Sequence, residues 1–132
     1  MNVRVLLVDT DDESRAGLAE RLRRTQDVEL VGQARDAGEM AHILEEMEPD
    51  VVLVDVHGWD GQPAELCRSL RALVAVPLAV LASFMTPERW EQLRQAGATD
   101  FFLKHVDTNR LGRALAALGT RYQGPPQERR DT

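Results

Sequence analysis

At 132 residues the chain has the length of one domain, enough to bury one substantial core. Its 43% hydrophobic and 29% charged residues are ordinary for a globular protein in water, and no run approaches the length of a membrane span. A net charge of −6 argues against a general nucleic-acid-binding surface, while a single cysteine, Cys67, excludes a disulfide framework and makes a reducing cytoplasm the default setting.

Met1-Asn2-Val3-Arg4 leads straight into an apolar run that predicts a first strand at about residues 3–8, with no pattern of a signal peptide. Leu18 and Leu22 then repeat at helical spacing behind a cap at Asp11 or Asp12. A second strand at about 28–33 is followed by Met40, Ile43, Leu44 and Met47 behind Asp36. Strands at about 50–55 and 77–82 contain apolar runs with no alternation, the pattern of central strands covered on both faces. Between them Leu66, Leu70 and Leu73 follow Pro63, with Cys67 among them as a core thiol. Trp90, Leu93 and Ala96 come after Thr86-Pro87, and Gly97 marks a helix stop before a strand at about 99–103. Leu111, Leu115 and Leu118 form the last helical stripe, behind Asp107 or Thr108, with Gly119 as its stop. Residues 122–132 hold Gly124-Pro125-Pro126 and a charged end, and are expected to be a disordered tail or linker beyond a domain at 1–121. Strict βα alternation without hairpin signals implies an α/β fold: five parallel strands, doubly wound, with helices on both faces.

Three of the strand runs end in a charge. Val5-Leu6-Leu7-Val8 runs into Asp9, Val51-Val52-Leu53-Val54 into Asp55, and Phe101-Phe102-Leu103 into Lys104, the only lysine in a chain that writes arginine at every other basic position of this kind. A charge past one strand is ordinary loop chemistry. In a parallel sheet, however, all three meet at the carboxyl edge, where open α/β sheets bind ligands.

These segments resemble the receiver domains of bacterial two-component response regulators, a flavodoxin-like (βα)5 fold. The carriers are Val3–Asp9 with Arg15 and Leu18, Val28-Glu29-Leu30-Val31-Gly32, Pro49–Asp55, Glu65–Arg68 and Ala96–Lys104. The resemblance implies that Asp55 is the phosphoacceptor, taking a phosphoryl group from a histidine kinase, a phosphotransfer protein or a small donor. It further implies that Lys104 contacts the phosphoryl oxygens and that Mg2+ is held by Asp9, Asp55 and the backbone carbonyl of His57.

The chain departs from the family pattern at several of these positions. Thr10 stands where a second acidic residue usually binds the metal directly, so Mg2+ affinity is expected to be weak unless Asp11 shifts in to compensate. At the end of the fourth strand Ala82 takes the place of the Thr or Ser that contacts the phosphoryl group and couples it to the aromatic position, here Phe101. Ser83 carries a hydroxyl one residue later, on the opposite side of a regular strand. Trp59 replaces a loop proline, and His105 follows Lys104 where many members have proline, so a trans bond is expected there.

Three readings follow. The first is an atypical phosphoprotein with a degenerate switch, and the second a pseudo-receiver acting through protein contacts alone. The third, carried only by Asp9-Thr10-Asp11, is a haloacid-dehalogenase-type phosphatase in which Asp9 attacks and Asp11 protonates. The mixed-charge face over 87–118 is the expected surface for a dimer or output partner, with no membrane involved.

Overall fold

The computed structural model describes residues 2–57 and 63–121. The elements are β1 (Val3–Asp9), α1 (Asp12–Arg23), β2 (Val28–Ala34), α2 (Ala37–Met47), β3 (Val51–Asp55), α3 (Pro63–Arg71), β4 (Leu78–Ala82), α4 (Pro87–Gln95), β5 (Asp100–Leu103) and α5 (Thr108–Arg121). Every strand pairing is parallel and the order is β2-β1-β3-β4-β5. The winding reverses between β1 and β3, which makes the fold the doubly wound flavodoxin-like type. The expected tail at 122–132 and the loop carrying Trp59 lie outside the described residues.

Alternation along the strands divides the core into two layers. Leu6, Val8, Val52, Val54, Val80 and Ala82 pack on one face with Met40, Cys67, Leu70 and Leu93 from α2, α3 and α4. Val5, Leu7, Leu53, Ala79 and Leu81 pack on the other with Leu18 and Leu22 from α1 and Leu111, Leu115 and Leu118 from α5. β3 and β4 are buried at every residue, as their unbroken apolar runs require. Cutting one of these leucines back to alanine costs about 2–5 kcal/mol, so each layer matters to overall stability.

The helix starts follow the capping chemistry. Asp11, rather than Asp12, caps α1 by accepting from the Ser14 N–H at 2.8 Å, and Asp36 caps α2 through Glu39 at 2.9 Å. Thr86 caps α4 with Pro87 in the first turn, and Asp107 accepts from the Asn109 N–H at the start of α5. Gly97 ends α4 at φ +111°, where the Ala98 N–H reaches the Leu93 carbonyl at 2.9 Å.

Two expectations fail. Gly119 does not stop α5, which runs to Arg121; a Cβ there would sit 2.7 Å from Val3 Cγ2, so the glycine serves close approach of helix to strand. Leu73 lies past the end of α3 and is exposed, because the chain must turn toward β4 before the helical stripe is complete. That turn is held by Arg71, whose guanidinium donates to the carbonyls of Val74, Val76 and Gly97 and to Thr99 Oγ1. One side chain thereby ties the exit of α3 to the entries of β4 and β5.

Candidate functional site

Parallel register sets Asp9 opposite Asp55 at the carboxyl ends of two adjacent interior strands. Asp9 continues the series Val5, Leu7, and Asp55 continues Val51, Leu53, so both side chains issue on the α1/α5 side of the sheet. Asp9 is fully buried and Asp55 is 5% exposed. Lys104 sits one residue past β5, its N–H bonded to the Ala82 carbonyl at 2.9 Å, and its Nζ reaches Asp55 Oδ1 at 2.7 Å. At this distance the ammonium and the carboxylate form a close ion pair across the strand ends.

The remaining oxygens face a different set of groups. Asp9 Oδ1 accepts the Asp11 N–H at 2.9 Å and lies 2.7 Å from His57 Nε2. The same nitrogen is 4.0 Å from Asp55 Oδ2, which also accepts from Ser14 Oγ at 3.5 Å. Asp9 Oδ2 is buried with no hydrogen-bond partner. Arg15 fixes the loop behind the site, donating to the Asp9 carbonyl at 2.8 Å and to Asp12 at 2.9 Å. A small pocket of about 120 Å³, lined in part by Ser14, Leu18, Asp55, Leu81 and Lys104, opens beside the cluster.

Burial pushes the Asp55 carboxyl above its ordinary 3.8; Lys104 pulls it back down, Asp9 adds to the rise, and His57 opposes it. The net direction says that the ammonium alone does not compensate for taking this carboxylate out of water beside another. A buried orphan oxygen on Asp9 and an under-compensated Asp55 form a donor set suited to a divalent cation. The carboxylates of Asp9 and Asp55 and the imidazole of His57 bring their ligand atoms within 4.8 Å of one another, the grouping that could hold such an ion.

Other anticipated residues lie elsewhere. Thr10 is exposed in the β1–α1 loop. Asp11 is also exposed, and its Oδ2 is committed to the α1 cap, so the shift that would bring it in as a replacement ligand is not made. Ala82 is buried on the opposite sheet face, in the same layer as Phe101, while Leu81 takes the place beside Asp55. Ser83 is exposed beyond the strand end. The Phe101 ring packs against Trp90 with centroids 5.1 Å apart and planes at 53°. Among the described residues no peptide bond is cis, so Lys104-His105 is trans as expected.

Two contributors were not anticipated: the imidazole of His57 and the hydroxyl of Ser14. Ser14 was legible in principle, since a first-turn residue three past the Asp11 cap faces the carboxyl edge of the sheet. The direction of the His57 ring depends on a loop whose course no periodicity reports.

The comparisons agree with this geometry. The family model for the response regulator receiver domain matches residues 5–116. The transcriptional regulatory protein LiaR of Bacillus subtilis is 33% identical over 129 residues, covering 95% of this chain and 58% of that protein. The DNA-binding transcriptional activator DevR/DosR of Mycobacterium tuberculosis is 30% identical over 118 residues, covering 89% of this chain and 54% of that protein. The chain thus spans little more than half the length of these curated relatives. Among solved structures, the signal receiver domain of NarL from Mycobacterium tuberculosis superposes with a TM-score of 0.74 at 23% identity, over 92% of this chain and 98% of that one, a likeness of fold. A LuxR-family two-component response regulator from Aurantimonas sp. SI85-9A1 gives a TM-score of 0.74 at 25% identity, over 91% of this chain and 86% of that one. The chain belongs to the response regulator receiver domain family, a signalling module of two-component systems rather than an enzyme.

Proposed function

We propose that Asp55 accepts a phosphoryl group from a histidine kinase, a phosphotransfer protein or a small donor such as acetyl phosphate. The observation that carries this reading is Lys104 Nζ at 2.7 Å from Asp55 Oδ1, inside a cluster built at the ligand-binding edge of the sheet. An Asp55 oxygen attacks phosphorus as the bond to the donor breaks, the leaving group taking the electron pair. Lys104, already at the carboxylate, meets the incoming phosphoryl oxygens with a fixed positive charge. Ser14 Oγ holds Asp55 Oδ2, and Arg15 keeps the Asp9 loop in place. When bound, a divalent cation held by Asp9, Asp55 and the His57 carbonyl neutralises charge on the phosphoryl oxygens.

Mg2+ binds weakly in this proposal, because the acid normally next to Asp9 is Thr10 and Asp11 is occupied as a helix cap. The switch is degenerate, because Ala82 offers no hydroxyl to link the phosphoryl group to the Phe101 layer. The same two features favour a second reading, a pseudo-receiver working by contact alone. The phosphatase reading loses its support, since the chain is a receiver and the Asp11 carboxylate caps α1. The output or dimer surface we assign to the 87–118 face, where Glu91 and Arg94 pair at 2.7 Å among other charges. No helix among the described residues is long and apolar enough to cross a membrane, in keeping with a cytoplasmic site of action.

Intact mass after incubation with acetyl phosphate and Mg2+ tests the proposal. A phosphoryl adduct on the wild type that vanishes in Asp55→Asn supports it. An adduct that survives the substitution refutes it, and no adduct at any Mg2+ concentration favours the pseudo-receiver. Thr10→Asp should tighten Mg2+ binding by roughly one order of magnitude, as expected for an added anionic ligand in a site with few protein oxygens.

A further inference from the structure

We infer that the His57 side chain, through Nε2, is a ligand of the cation site, and that the site therefore selects a borderline transition ion of the Zn2+, Co2+ or Ni2+ class over Mg2+. The inference deepens the proposed receiver function by naming the ion, and it rests on the same cluster.

Ligand atoms of Asp9, Asp55 and His57 all lie within 4.8 Å of one another, a grouping formed without Thr10 or Asp11. A tetrahedral ion with bonds of about 2.0–2.1 Å sets its ligand atoms roughly 3.3 Å apart. His57 Nε2 is 2.7 Å from Asp9 Oδ1 and 4.0 Å from Asp55 Oδ2, distances on either side of that spacing, so a small rotation of the imidazole brings both oxygens into reach. The two oxygens of Asp55 are already divided in the required way. Oδ1 belongs to Lys104, and Oδ2 is left on the imidazole side. A buried orphan oxygen, Asp9 Oδ2, supplies an independent sign that the cluster lacks a positive partner. Asp9 and Asp55 cannot withdraw, because strand register fixes them side by side. The imidazole stands over them, 34% exposed on the open side.

Chemistry then decides the ion. Mg2+ demands near-octahedral oxygen and takes imidazole poorly, whereas Zn2+, Co2+ and Ni2+ accept mixed nitrogen and carboxylate sets. Without an ion, Nε2 donates its proton to Asp9 Oδ1. Ligation requires the other tautomer, with the proton on Nδ1. The site thus has a neutral hydroxyl at Thr10 after Asp9 and an imidazole nitrogen at His57 against Asp9.

The test is isothermal titration of the chelator-treated domain with Zn2+, Co2+ and Mg2+ separately, in the absence of any phosphodonor. The background is His42→Ala with His105→Ala, which removes the exposed imidazoles as competing sites. His57→Ala should weaken Zn2+ and Co2+ by at least about tenfold, since even outer-shell losses cost that much. Mg2+ affinity should change by less than about threefold, because its oxygens are untouched. The protein with His57 intact gives a second readout: Zn2+ should move the His57 Nε2 nitrogen resonance, and bound Co2+ should show the visible spectrum of nitrogen ligation. Equal losses for all three ions, no loss for any, or an unmoved His57 resonance with Zn2+ bound would each overturn the inference. None of these readings involves Asp55 phosphorylation, so failure here leaves the acetyl phosphate result standing, and the reverse.

Discussion

Replacing Asp55 by asparagine should make the ion-free protein more stable, even though it removes half of the ion pair with Lys104. The pair returns little, since Lys104 is 28% exposed and partly screened by water. Against it stand the cost of burying a carboxylate that is 5% exposed and the repulsion from Asp9 in the adjacent register position. The raised Asp55 pKa gives the sign of the balance. A neutral amide of the same shape escapes both penalties. The expected gain is about 1–2 kcal/mol at neutral pH, or a rise in Tm of roughly 3–10 °C for a domain of this size. The pH dependence follows from the same shift. Between the ordinary 3.8 and the raised native value, the folded protein keeps a proton that the unfolded chain has lost. Wild-type stability therefore falls through that window as pH rises. The variant lacks the group, so its advantage should be near zero below the window, grow through it, and level off above. Urea unfolding of both proteins with a chelator, across a pH series, measures this difference while other carboxylates cancel. Lys104→Met closes the cycle: it should cost about 0.5–1 kcal/mol in the wild type, the worth of a partly screened pair, and almost nothing beside asparagine. A lower midpoint for Asp55→Asn at neutral pH, or an advantage that does not grow from acid to neutral pH, would refute the reasoning.

Arg71→Ala should cost about 2–4 kcal/mol, seen as a lower urea midpoint at unchanged slope, because several carbonyls lose their donor at once. Arg71→Lys should recover only a small part, since an ammonium cannot span three carbonyls as the guanidinium fork does. Burial pushes the Cys67 thiol up to about 11, so it stays protonated at pH 8 and should react with a disulfide reagent only at the rate of unfolding; fast labelling of the native protein would contradict its burial. As pH rises from the ordinary 9.0 towards that value, the unfolded thiol ionises first and stability falls slightly. Beryllofluoride should change backbone shifts little over residues 84–105 of the wild type, because Ala82 has no hydroxyl and lies in the Phe101 layer, on the sheet face away from Asp55. Large wild-type changes there would reveal a switch that does not run through Ala82.

Much of this architecture was readable in the chain because its signals are local and repeated. The unbroken runs at 51–54 and 78–81 announce strands covered on both faces, and Asp36, Thr86-Pro87 and Gly97 punctuate the helices with their own hydrogen-bonding chemistry. Asp9, Asp55 and Lys104 could be brought together on paper because a parallel sheet collects all its strand ends at one edge. What failed was what depends on contacts distant in sequence. Gly119 looks like a helix stop until Val3 is packed against it, and Leu73 keeps the helical stripe only if the helix does not end at Arg71. The ring of His57 was invisible for the same reason, its partner Asp9 lying on another strand.

The close seating of α5 on β1 also bears on how the chain is made. The α1-side layer is closed by Leu111, Leu115 and Leu118, and Lys104 precedes them by only a short connection. While the polypeptide is still being synthesised, β1 and β3 can pair long before either group exists. A nascent chain then carries a finished sheet centre with one open apolar face and an uncompensated carboxylate pair. Such a state is prone to association rather than half-functional. Truncations that remove α5 should therefore yield insoluble protein and not a weaker receiver, because this helix, made after every strand of the sheet, closes that face of the core.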